Sequence, residues 1–133
     1  MSYPLTLEEF QTIQAQDAET RYHHFLTQVA THGEVWILKD DEGCLSLESD
    51  GETYIPMWPH EDYAKAWAGD AFEDFEPYAI PVKTWLNRWV SGMAEDGVAM
   101  AVFPSTNGDG VVESPEVVAD DLIRKQGKLS NKK

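Results

Sequence analysis

His60, Glu61 and Asp62 stand side by side within "YIPMWPHEDYAKAW" (54–67). An imidazole next to two carboxylates is what general acid–base chemistry uses, provided all three meet a substrate. The same run sets Tyr54, Trp58 and Tyr63 around Pro56 and Pro59, the composition of an aromatic recognition patch. Helix-start chemistry accounts for several of these residues without any site. Pro59 suits a first helical turn, where its missing N–H costs nothing. Glu61 and Asp62 suit the positive end of a helix dipole. In "TYIPMW" (53–58), Tyr54, Pro56 and Trp58 share one strand face, and Ile55 and Met57 share the other with Thr53. Ile55 and Met57 suit a core. Tyr54, Trp58, Pro59, His60 and Tyr63 then form a candidate contact patch if open, and packing if a helix covers them.

Other chemistry is thinner. There is no G-x-S-x-G elbow, phosphate loop or dinucleotide fingerprint. "NGDG" (107–110) joins two strands and reads as a turn needing positive φ, with the ligand pattern of a calcium loop missing. His23 and His24 lie about 100° apart on a helix and chelate poorly as a pair. With no H-x-x-x-H and no cysteine cluster, no metal site is expected, and no cofactor. Cys44 is surrounded by Asp40, Asp41, Glu42 and Glu48, which raise a thiol's pKa and blunt it. No catalytic residue is assigned.

These residues need elements to hold them. In "LTLEEF", Thr6 caps a helix, Glu9 completes a capping box, and Leu5 with Phe10 forms a staple. Leu7, Phe10 and Ile13 follow one face. A second helix starts near Asp17, buries Tyr22, Phe25, Leu26, Val29 and Ala30, and stops at Gly33. "VWILKD" (35–40), "CLSLES" (44–49) and "TYIPMW" read as three contiguous strands of an antiparallel meander. A helix runs from Pro59 to Gly69, an acidic loop follows, and "YAIPV" is a short strand. Val82, Trp85, Leu86, Trp89 and Met93 mark one face of the next helix. "VAMAVFP" (98–104) is a central strand, "STNGDG" a hairpin turn and "VVE" the return strand. Ser114 caps the last helix, Pro115 takes its first position, and Val118, Leu122 and Ile123 face inward. The expectation is one α+β domain over 1–127: a mostly antiparallel sheet of about five strands, helices packed on it, two of them leading. Residues 128–133 are read as a basic flexible tail.

Charge limits the partners. Twenty-four acids against 10 bases give a formal −14 in 133 residues. Three bases fall in the final "KLSNKK", so the body alone carries seven bases and stands at −17. Such a body repels phosphate backbones and anionic lipid, so neither nucleic acid nor membrane is an expected partner. One cysteine, no apolar run of membrane length and no secretory start point to a cytoplasmic location.

Four blocks taken together, "GEVWILKDDEGCLSLESD", "IPMWPHEDYAKAW", "WLNRWVSGMAEDGVAMAVFP" and "GVVESPEVVADDL", resemble the bacterial domain of unknown function 2750. The resemblance runs from about Asp17 to about Ile123 and supplies no catalytic residues. More distantly, the steps at Pro56 to Trp58, Val98 to Pro104 and Ser114-Pro115 are similar to the SseB N-terminal domain. That likeness implies an α/β sandwich used for protein contacts, from which the two leading helices depart. The expected function is a non-catalytic protein-interaction domain of a bacterial cytosol. The alternative is a small-ligand binder or enzyme, with His60, Glu61 and Asp74 converging in a pocket. A homodimer through a sheet edge or the Trp-bearing helix is a further arrangement.

Overall fold

The computed structural model of the chain describes residues 5–49, 51–105 and 110–131. Helix α1 (Leu7–Gln14) opens on the expected capping box. The Glu9 N–H donates to Thr6 Oγ1 at 3.1 Å, and Glu9 Oε1 accepts from the Thr6 N–H. Leu5 and Phe10 both pack against the core edge, but Leu7 is 71% exposed, so the inward face of α1 is Phe10 and Ile13 without it. Helix α2 (Ala18–His32) is capped by Asp17, which accepts from the Thr20 N–H at 2.8 Å. It ends where Gly33 turns left-handed at φ 78°, a conformation cheap only for glycine. Tyr22, Phe25, Leu26 and Val29 are buried, and Ala30 is half-buried.

Strand β1 (Glu34–Asp40) buries Val35, Trp36, Ile37 and Leu38 in succession, so both of its faces are covered. It turns into β2 (Gly43–Cys44), and the Leu45 N–H still reaches the Leu38 carbonyl at 2.8 Å. There the expected second strand divides. Leu47–Ser49 is a separate strand, β3, paired antiparallel to β4 (Glu52–Met57). The chain therefore makes two sheets in place of one sheet of about five strands. One has the order β2-β1-β5, the other β3-β4-β6-β7. Strand β5 (Glu76–Pro81) lies antiparallel to β1, β6 (Ala99–Val102) parallel to β4, and β7 (Val111–Glu113) antiparallel to β6. The sheets touch where Trp36 and Trp58 exchange two backbone hydrogen bonds of 2.8 Å. The α+β class and the mostly antiparallel pairing hold. Of the expected "STNGDG" turn, residues 106–109 lie outside the described residues.

Helix α3 (Glu61–Ala68) starts two residues later than expected. His60 is its N-cap, with Nδ1 accepting from the Asp62 N–H at 3.0 Å, and Pro59 precedes the helix. Helix α4 is continuous through Val82–Thr84, Trp85–Trp89 and Val90–Asp96, and its middle segment is a π turn closed by the Val90 N–H to the Trp85 carbonyl. Helix α5 (Pro115–Asn131) begins after Ser114, whose Oγ accepts from the Val117 N–H at 3.4 Å. Val118 and Leu122 are buried, whereas Ile123 is 53% exposed and lies off that face. The helix runs through Asn131, so residues 128–131 belong to it rather than to a separate tail, and 132–133 lie outside the described residues.

The end of β6 is held by side chains from two directions. Phe103 adopts φ 50°, and among the described residues it alone has positive φ without being glycine. Its N–H donates to the Met57 carbonyl at 2.7 Å. Its carbonyl accepts from Arg21 Nε at 3.1 Å, and Arg21 Nη1 also donates to the Gln16 carbonyl. Trp58 Nε1 donates to the next carbonyl, Pro104, at 3.0 Å. Arg21→Lys cannot span two carbonyls with a fork, and we expect it to lower the unfolding free energy by roughly 2 kcal/mol. Trp58→Phe, which orphans the Pro104 carbonyl, should lose a similar amount, about 1–3 kcal/mol. Leu7→Gln on the exposed face should stay within about 0.5 kcal/mol of the parent. Urea midpoints of the three variants check this order.

Candidate functional site

The nominated contact patch is interior. Trp58 and Tyr63 have no exposed surface, His60 is 3% exposed, Pro59 is buried and Tyr54 is half-buried. The reason is coverage of both faces of β4's end. Trp58 packs on Trp67 of α3 at 5.4 Å between ring centroids, on the side away from Met57. Burying an indole is worth on the order of 5 kcal/mol before entropy, far more than leaving it open for a partner. The expected acid–base set does not assemble either. His60 Nδ1 is occupied by the Asp62 N–H. Asp74 lines a different depression, with Lys39, Asp40, Asp41 and Glu76.

Tyr63 nonetheless borders open space. A cavity of about 430 Å³ lies between α1 and α2. From α1 come Glu8, Glu9, Thr12 and Ile13, with Leu5 just before the helix. From α2 come His24, Gln28 and His32, spaced four apart and so on one stripe of the helix. Tyr63 of α3 completes the lining. Its ring is clamped: it stacks on Phe10 (5.1 Å, 9° between planes), lies 4.6 Å from the Phe103 ring, and meets His60 edge-on at 6.1 Å. Its hydroxyl is buried and has no hydrogen-bond partner among the described residues. Buried hydroxyls are nearly always satisfied, so this one is conspicuous.

The electrostatics keep the cavity's inner groups neutral. Burial pushes the Tyr63 hydroxyl above the ordinary tyrosine value, and the Glu9 and Asp62 carboxylates push it further. It remains a protonated phenol, able to donate and accept. Burial lowers His24, against the opposing pull of Glu9. Its ring lies 6.1 Å from that of Phe103. The lining side chains Thr12, Gln28, His24, His32 and the two glutamates offer hydrogen bonds and charge. Cys44 is elsewhere; burial raises its thiol against the opposing effect of a backbone hydrogen bond, and the acidic neighbours expected to raise it are not the cause. No group of three His, Cys, Asp or Glu among the described residues is placed to hold a metal ion.

The stripe at 24, 28 and 32 was readable as a four-residue spacing in "HHFLTQVATH". The adjacent pair His23–His24 draws attention away from it. Nothing in the sequence marks the gap beside Tyr63, which depends on how α1 is set against α2.

An α+β domain with its cavity under the first two helices is thus the class of protein the coordinates define. Residues 22–122 match the family described as Protein of unknown function (DUF2750), and the chain belongs to that family. No curated protein matches the chain. None of the described helices is long and apolar enough to cross a membrane.

The lowered His24 has a consequence for stability. The folded protein holds this proton less firmly than the unfolded chain, so the contribution is complete above the ordinary value of 6.5. It is lost as pH falls through that value toward the lower folded one. Between about pH 7.5 and about pH 5.5 the parent should lose more unfolding free energy than His24→Gln. Urea unfolding followed by tryptophan fluorescence at both pH values measures the difference.

Proposed function

We propose that this domain binds a small molecule in the cavity between α1 and α2. The observation that carries the reading is Tyr63, which lines that space and whose hydroxyl is buried and unpartnered among the described residues. A group left in that state costs about 1–3 kcal/mol relative to a satisfied one. A ligand atom in the cavity would remove that penalty, which is a specific source of affinity. The volume falls in the range of small-molecule sites, and the mixture of an apolar base with a few polar groups is their usual composition. A protein contact through Trp58, Pro59 and His60 would require pulling buried side chains out of the core, so that reading is not supported by their placement.

A fragment library screened by protein-observed NMR should give hits that shift resonances of Tyr63, His24 and Gln28 together. Tyr63→Phe should keep the fold, with unfolding free energy equal to the parent or higher by up to about 1 kcal/mol, because an unsatisfied hydroxyl has been removed. The same variant should weaken those hits about tenfold, since one hydrogen bond to the ligand is gone. Hits that bind the folded Tyr63→Phe protein as tightly as the parent, or a library with no hit at these residues, would overturn the proposal.

A further inference from the structure

The charges around the cavity narrow the ligand further, given the pocket reading above. Glu8 and Glu9 of α1 line it, and among the described residues its lining includes no lysine or arginine to offset them. The remaining titratable groups facing the space are His24 and His32 from α2 and Tyr63 from α3. Tyr63 is held as a neutral phenol and His24 is biased toward its neutral form, so neither supplies a counter-charge at neutral pH. Glu9 is exposed and lines the space while its Oε1 accepts from the Thr6 N–H and hydroxyl at the start of α1. An anion would add a third negative charge beside two exposed carboxylates. A cation meets two carboxylates already in place, in a chain whose net charge of −14 draws cations from solution. A bare metal ion is a poor fit, because no three-ligand group is present among the described residues. The apolar lining from Leu5 and Ile13, and the Tyr63 ring stacked on Phe10, ask for a carbon body.

We infer that the cavity takes a small organic amine. Its ammonium group faces Glu8 and Glu9, an N–H donates to Tyr63 Oη, and its short apolar or aromatic body lies against Leu5 and Ile13.

Three probes that share a phenylalkyl body test this by NMR titration: 2-phenylethylamine, 2-phenylethanol and 3-phenylpropionate. The amine should bind about tenfold more tightly than the alcohol, and the carboxylate more weakly than either, with the gap closing as salt is added. Glu9→Gln is the informative variant, because glutamine also completes a capping box and so leaves the start of α1 intact. Combined with Glu8→Gln, it should bring the amine down to the affinity of the alcohol. An alcohol or carboxylate that binds as tightly as the amine, or an amine affinity unchanged in the double variant, would refute the inference. If none of the three moves the cavity resonances while other library fragments do, the amine inference falls and the pocket reading stands. If no fragment of any kind does, both fall.

Discussion

The Arg21 guanidinium sits at 2% exposure and donates to two backbone carbonyls that are far apart in the chain, Gln16 and Phe103. Withdrawing a guanidinium from water costs several kcal/mol unless its donors are satisfied, so the carbonyls have to be where they are. One carbonyl belongs to the link between α1 and α2, the other to the end of β6. The same side chain therefore sets the helical pair against the sheet. It also stabilises the positive φ of Phe103, whose carbonyl must be turned toward it. The Phe103 ring is then delivered beneath Tyr63 and beside His24. Position of the cavity's base and position of its helical walls trace back to one buried cation.

That dependence explains why the aromatic run at 54–67 was attractive and misleading together. Tyr63 alone of its residues lines the cavity, and the run's other buried aromatics are packing. Trp58 is committed to the Pro104 carbonyl and to Trp67, and His60 to the helix start. Among the buried polar side-chain atoms of the run, the Tyr63 hydroxyl is the one without a partner among the described residues. A site of this kind uses rigid aromatic packing to hold a single polar group still, and the surrounding helices contribute the charge.

Legibility in the sequence followed the range of the forces. Capping at Thr6 and Asp17, the glycine stop at Gly33 and the covered strand β6 are set by residues within a few positions, and all were readable. The division of "CLSLES" was not, because its alternation continues across Leu45 and Ser46 without a break while the pairing partner changes from β1 to β4. The parallel match of β4 to β6 joins residues over 40 positions apart and leaves no local trace. Alternation also showed that Trp58 and Met57 point opposite ways, yet not that each side would be roofed. Leu7 and Ile123 show the converse: both sit near a helical apolar stripe, and both are left more than half exposed.

The π turn in α4 carries a last implication. Trp85 and Met93 are eight residues apart and both are buried. In an unbroken α-helix they would be rotated about 80° from each other. A wider turn between them absorbs that offset, so both halves of the helix can face the same core. Such a turn is equivalent to one surplus residue accommodated without a loop. Removing a single exposed position there, such as Asn87, would leave Trp85 and Met93 seven residues apart and within about 20° of each other in a regular α-helix, so Met93 would stay on the interior side. With the surplus residue in place α4 cannot have both a regular backbone and a continuous apolar face, and the chain has kept the second.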